Sequence, residues 1–255
     1  MKTNENNEKP TLDNSRRGFI RKGGLLVASA TMVGLSGMAI SCNNQNASAK
    51  EETEKEDEEG EEMVSPNEDL MREHGLLNRM LLVYDTAMLR MGANEEFNPD
   101  YINQTATIVR NFVEDYHEKL EENYLFPRLE KANILTDLTA TLRRQHIGGR
   151  KLTDQMLALT NNGRALTEND TQQLLATLKA FNTMYRPHEA REDTILFPAF
   201  KKVVSKHEYD SLGEDFENKE HEMFGEDGFV MMVDKVSEIE KQIGIFDLDQ
   251  FTPKI

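Results

Sequence analysis

Two stretches of this chain carry the same arrangement of reactive side chains. One is His117-Glu118-Lys119-Leu120-Glu121-Glu122-Asn123-Tyr124-Leu125-Phe126-Pro127, and the other is His188-Glu189-Ala190-Arg191-Glu192-Asp193-Thr194-Ile195-Leu196-Phe197-Pro198. Both read His-Glu-x-x-Glu-acid-x-x-Leu-Phe-Pro. Two further histidines, His74 and His146, are separated by nearly the same interval as the two stretches. The order His, His-x-x-x-Glu, His, His-x-x-x-Glu is an internal duplication. Imidazole together with carboxylate suits iron, manganese or zinc. The chain lacks His-Glu-x-x-His, so a zinc-protease reading has no support, and it lacks Cys-x-x-Cys-His for covalent haem.

These groups need rigid elements to bring them together, and the surrounding pattern is helical. Ser65-Pro66-Asn67-Glu68 is a capping box with proline at the first helical position. Leu70, His74, Leu77, Leu81 and Met88 follow at close to helical period. Asn98-Pro99 opens a second helix with Val109, Val113, His117 and Glu121 on its inner face. Thr136-Asp137 opens a third, carrying Leu138, Leu142, His146, Gly149 and Met156. Thr167-Glu168 opens a fourth, with Leu174, Leu178, Phe181, Tyr185, His188, Glu192 and Ile195 in steps of three and four. Four long helices with short connections predict an all-α fold, an antiparallel up-and-down four-helix bundle. Two additional C-terminal helices follow, one capped by Ser205 and ending near Gly225, the other running through Val230 to about Gly244.

Residues four apart on a helix lie on one face, about 5–6 Å apart at Cβ. That face is apolar here, so His74, His117, Glu121, His146, His188 and Glu192 should all point into the bundle. Buried carboxylates are costly unless paired or metal-bound. Two of them among four histidines call for cations. Two metal ions, each taking two histidines and sharing two bridging glutamates, use the whole set and leave a coordination position for a small ligand. A single zinc with spare groups is the alternative.

Composition narrows the partners. The chain has 255 residues, a formal net charge of -16 and one cysteine. The acidic balance argues against nucleic acid. The lone cysteine excludes an internal disulfide framework and cysteine-ligated clusters. No apolar run near the usual length of about 20 residues lies beyond residue 50.

The first segment, 1–49, reads as an export signal. Ser15-Arg16-Arg17-Gly18-Phe19-Ile20-Arg21-Lys22 precedes a mild apolar stretch, the twin-arginine pattern. Met38-Ala39-Ile40-Ser41-Cys42 resembles a lipoprotein box that would lipidate Cys42, whereas Ala47-Ser48-Ala49 suits ordinary cleavage. The expected location is the periplasm or cell envelope, either anchored to the membrane through Cys42 or released. Residues 50–64 are almost wholly acidic and read as a flexible tether. The bundle is expected over 65–202 and a helical extension over 203–255.

Arg72-Glu73-His74-Gly75, the two duplicated stretches, Gln145-His146 and Pro187-His188 together resemble the hemerythrin-like proteins, the HHE cation-binding domain family. The resemblance implies a four-helix bundle holding two non-haem iron ions that bind oxygen or a related small molecule. Its ligands, carried onto this chain, are His74, His117, Glu121, His146, His188 and Glu192. Two departures stand out. Oxygen-carrying hemerythrins have a further histidine where this chain has Arg150, and they end the fourth-helix motif with a carboxylate five residues on, where Asp193 stands here. His221, in Glu220-His221-Glu222, is a candidate replacement for the absent histidine, although its polar neighbours favour a surface role. Tyr185, one turn before His188, is a candidate to hydrogen-bond a bound species or pass an electron. Arg150 and Asn78 hold equivalent positions, and Arg150 is a candidate to pair with a bridging glutamate, to guard the open site, or equally to turn outward to solvent.

Three functions stay open at this point. A binding protein would take oxygen, nitric oxide or peroxide for sensing, storage or protection. A di-iron oxidoreductase would reduce oxygen or peroxide with a redox partner that the sequence does not identify. An iron-storage protein would hold metal without turnover.

Overall fold

The computed structural model describes residues 64–161 and 165–255. The twin-arginine stretch, Cys42 and the acidic run lie outside the described residues. Helix α1, Pro66–Gly92, begins where Ser65 Oγ accepts the Glu68 amide, as the capping box requires. Helix α2 covers residues 100–131, and α3 is Thr136–Thr160. Helix α4 covers residues 168–203, one residue past the expected bundle boundary, and starts from a reciprocal capping box between Thr167 and Asp170. No strand occurs among the described residues.

Helices α1 and α3 each pack against both α2 and α4, which closes a four-helix bundle around an apolar interior. Leu70, Leu77, Leu81, Phe112, Val109, Leu142, Met156, Leu174, Leu178 and Phe181 fill it. Helix α5, Lys206–Phe224, and helix α6, Gly228–Ile243, lie outside this ring against α1 and α2. Tyr116 meets Phe224 edge-on at 5.5 Å, and Arg79 reaches Glu240 and Ser237 of α6. Among the described residues, no helix is long and apolar enough to cross a membrane.

One feature of α2 and α4 departs from the plain α-helix that periodicity implies. Both helices widen into π-turns beside the metal-type motif, at Val109–His117 and Glu121–Leu125 in α2 and at Glu192–Leu196 in α4. The repeated proline explains the second and third. A proline inside a helix has no N–H to donate and its ring strikes the carbonyl four residues back. In each motif the π-turn lies just ahead of the proline, and the Phe126 and Phe197 amides reach back to the Glu121 and Glu192 carbonyls. The widened turn absorbs Pro127 and Pro198 without breaking the helix.

Candidate metal centre

The bundle brings all six inner side chains together, one histidine from each helix and one glutamate from each of α2 and α4. All six are buried. Two groups form around atoms within 4.8 Å of one another: His74, His117 and Glu121, and then Glu121, His146, His188 and Glu192. Glu121 belongs to both. Glu192 spans them as well, with Oε2 3.4 Å from His74 Nε2 and 3.2 Å from His188 Nε2. Glu121 Oε1 is 3.8 Å from His117 Nε2, and its Oε2 is 3.4 Å from His146 Nε2. Each half of the duplication therefore contributes one pair of histidines, and the two carboxylates lie between the pairs.

The outward nitrogens fix which ring atom faces inward. His74 Nδ1 donates to Asp193 Oδ1 at 2.7 Å, and His117 Nδ1 donates to Glu73 Oε2 at 2.7 Å. His146 Nδ1 donates to Glu122 Oε1 at 3.0 Å, and His188 Nδ1 donates to Gln145 Oε1 at 3.0 Å. A histidine whose Nδ1 carries the proton presents the Nε2 lone pair to whatever lies at the centre. His146 Nε2 and His188 Nε2 face each other at 3.2 Å. Two such lone pairs repel unless a cation lies between or beside them. All four oxygens of Glu121 and Glu192 lack a hydrogen-bond donor. Buried acceptors without donors, surrounded by bare imidazole nitrogens, are the donor set that metal ions use.

The electrostatics carry the same imbalance. Burial opposes charge on His74, but the hydrogen bond to Asp193 and the adjacent Glu192 carboxylate outweigh it and push its pKa up to about 10. Burial and the neighbouring His74 hold His117 well below its usual value, and burial brings His146 down to about 4. Burial, reinforced by the Glu192 charge, pushes Glu121 far up. Burial acts on Glu192 too, yet His188 and His74 outweigh it and keep Glu192 well below the carboxylate range. Burial thus opposes charge on His117, His146 and Glu121, while His74 and Glu192 sustain opposite charges on each other.

The sequence reading missed the layer of acceptors just outside. Glu73 and Gln145 each precede a histidine, while Glu122 and Asp193 each follow an inner glutamate. One residue along a helix is a rotation of about 100°, so these side chains stand at the seam and reach a histidine on the next helix. Their signal was present in the repeat itself, which keeps an acid after each glutamate. Phe126 and Phe197 of the repeated Leu-Phe-Pro stack flat on His146 and His74, with ring centroids at 5.6 and 5.5 Å. That packing accounts for the repeated phenylalanine.

The remaining candidate residues stand around the inner six. Asp193 faces away from the centre, to His74 Nδ1, which excludes it as the inner carboxylate of α4. Arg150 pairs with neither inner glutamate. Its guanidinium binds Glu118 at 2.6 Å and Glu122 at 2.8 Å, supplying a cation to one buried and one half-buried acid. Tyr185 donates to Glu118 Oε1 at 2.7 Å and meets the His188 ring edge-on, with centroids 5.5 Å apart. Burial raises Glu118 to about 8. Asn78, at the matching position of the first half, donates to Glu189, whose pKa burial raises to about 7. His221 joins neither inner group, because α5 packs outside the ring of four helices and the histidine sits in its last turn. His207 is exposed.

A four-helix bundle enclosing paired histidine and glutamate clusters defines a cation-binding bundle of the hemerythrin type. The chain belongs to the hemerythrin HHE cation-binding domain family, which matches residues 65–200. It is 49% identical over 195 residues to the uncharacterized protein Mb2018 of Mycobacterium bovis, a span covering 76% of each chain. The same identity and coverage hold for the uncharacterized protein Rv1995 of Mycobacterium tuberculosis. No solved structure matches the chain.

Proposed function

We propose that this chain is an exported di-iron protein of the hemerythrin type that binds oxygen, nitric oxide or peroxide for sensing, storage or protection. The observation that carries the reading is the sharing of Glu121 between two histidine pairs, with Glu192 set between the same pairs. Each ion would take two imidazoles, His74 with His117 or His146 with His188, and both carboxylates would serve both ions. Iron bound there supplies one-electron redox chemistry and a coordination position for a small ligand. The chain's own part is to hold the Nε2 lone pairs inward through the outer acceptors. Its apolar walls, including the buried Phe126 and Phe197, would keep bulk water from ions held there. Export rests on the Arg16-Arg17 pattern, and lipid anchoring on the position of Cys42 at the end of the apolar stretch.

A di-iron oxidoreductase is the second reading. It is favoured by Tyr185, whose hydroxyl is hydrogen-bonded to Glu118 beside the His188 ring, and which could hold a proton close to the centre. Anaerobic reduction followed by rapid mixing with oxygen separates the two. The binding reading expects a coloured adduct that disappears under vacuum. Irreversible oxidation with repeated turnover would overturn it in favour of the enzyme. Slow oxidation with more than about two irons per chain, above the number the ligand set supports, would favour storage.

A further inference from the structure

The six inner side chains repeat closely between the halves, but the layer outside them does not. His74 and His117 both donate to carboxylates, Asp193 and Glu73, each at 2.7 Å. His188 instead donates to the neutral amide oxygen of Gln145, and His146 donates to Glu122. Glu122 also receives Lys119 Nζ at 2.6 Å and Arg150 at 2.8 Å, two cations that offset its charge. The asymmetry continues one position further out. Glu118, on the second side, is bound by the Arg150 cation, whereas its counterpart Glu189 is bound by the neutral Asn78.

A carboxylate accepting from Nδ1 pulls the proton toward itself and makes Nε2 a stronger donor to a cation. A neutral amide does so less. Because Glu121 and Glu192 serve both positions, they do not distinguish them. We infer that the two ion positions are unequal, with the His74–His117 position binding more tightly and the His146–His188 position releasing its ion first. Gln145 and Glu73 are the residues that set the difference. The inference rests on the two-ion reading above.

The test starts from the full chain loaded anaerobically with ferrous iron, then titrates it with a coloured ferrous chelator while iron per chain is followed. Two steps are expected, separated by about 10–100-fold in chelator, the usual effect of a changed outer partner on metal affinity. Gln145→Glu makes the halves alike and should shift the weaker step toward the stronger. Glu73→Gln should shift the stronger step toward the weaker. Both replacements keep side-chain shape, and each is read independently, so failure of one variant to fold leaves the other. Two ions leaving in one step from the native chain, or a separation unchanged in the folded variants, overturns the inference while the two-ion reading stands. A chain that never holds more than one ion overturns both.

Discussion

His74 Nδ1 and Asp193 Oδ1 meet at 2.7 Å across a separation of 119 residues, joining α1 to α4 on the outer side of the cluster. Asp193 occupies the sequence position from which oxygen-carrying hemerythrins present an inner carboxylate, yet here Glu192 faces the centre. The helix is regular up to Arg191, so Glu192, four residues after His188, shares its inward face, and Asp193 is turned to the seam.

The two neighbours should therefore behave differently on replacement. Glu192→Gln removes a shared inner group and should cut metal content to about one ion per chain or less, because a bridge serves both positions. Asp193→Asn should keep two ions at saturating metal and weaken binding by about 10–100-fold, as loss of an outer acceptor does. Metal analysis of the two variants after identical loading checks this. Equal metal loss in both would contradict the assignment.

Gly149 leaves room for Tyr185. A Cβ added there would stand 2.2 Å from the Tyr185 hydroxyl oxygen and 2.9 Å from the ring carbon that carries it. Gly149→Ala should destabilise the fold by about 1–3 kcal/mol, the usual cost of overpacking a filled interior. Adding Tyr185→Phe should recover part of that loss. Gly148→Ala meets only Met184 Sδ, at 3.6 Å, and should gain about 0.5–1 kcal/mol from helix propensity. Urea melts of the variants check the order. A Gly149→Ala chain as stable as Gly148→Ala would contradict the close approach.

Glu114 gives a pH signature away from the inner ligands. Burial raises its pKa, although Thr153 and Arg110 pull the other way. A carboxyl whose folded pKa is raised holds a proton that the unfolded chain has already lost. Stability from this group therefore falls as pH climbs from the ordinary carboxylate range through the raised folded value. Glu114→Gln should remove that decline. The difference in unfolding free energy between variant and parent should then move in favour of the variant as pH climbs above about 4. A difference that is constant with pH, or moves the other way, would contradict the raised value.

Replacing Arg16 and Arg17 with lysine should retain the chain inside the cell, since the twin-arginine pattern depends on the arginine pair itself. Fractionation followed by immunoblotting reads the outcome. Normal export of that variant would contradict the proposed route.

Much of the bundle was legible in the sequence because local chemistry and periodicity agree. Ser65, Thr167 and Ser205 cap the helices where their sequence patterns place them, since a short oxygen-bearing side chain before an apolar run has few other uses. The convergence of His74, His117, His146 and His188 follows from their position on apolar faces. The outer acceptors were not read, because Glu73, Glu122 and Gln145 leave those faces by one residue and their partners lie on other helices. Periodicity within one helix carries no information about such seams. The π-turns escaped a reading based on a uniform helical period, although Pro127 and Pro198 mark two of them. The partner of Arg150 stayed open in the sequence, because the buried Glu118 that binds it lies on another helix. The polar neighbours of His221 already pointed to a role away from the centre, and its helix lies outside the ring.

The most direct test of the shared-carboxylate arrangement is the metal content of the purified full chain, measured beside Glu121→Ala. The account predicts two ions per chain in the parent and about one or fewer in the variant, with a lower melting temperature, because Glu121 joins both histidine pairs. A parent with no ion or only one, or a variant that keeps two ions and melts unchanged, would contradict it.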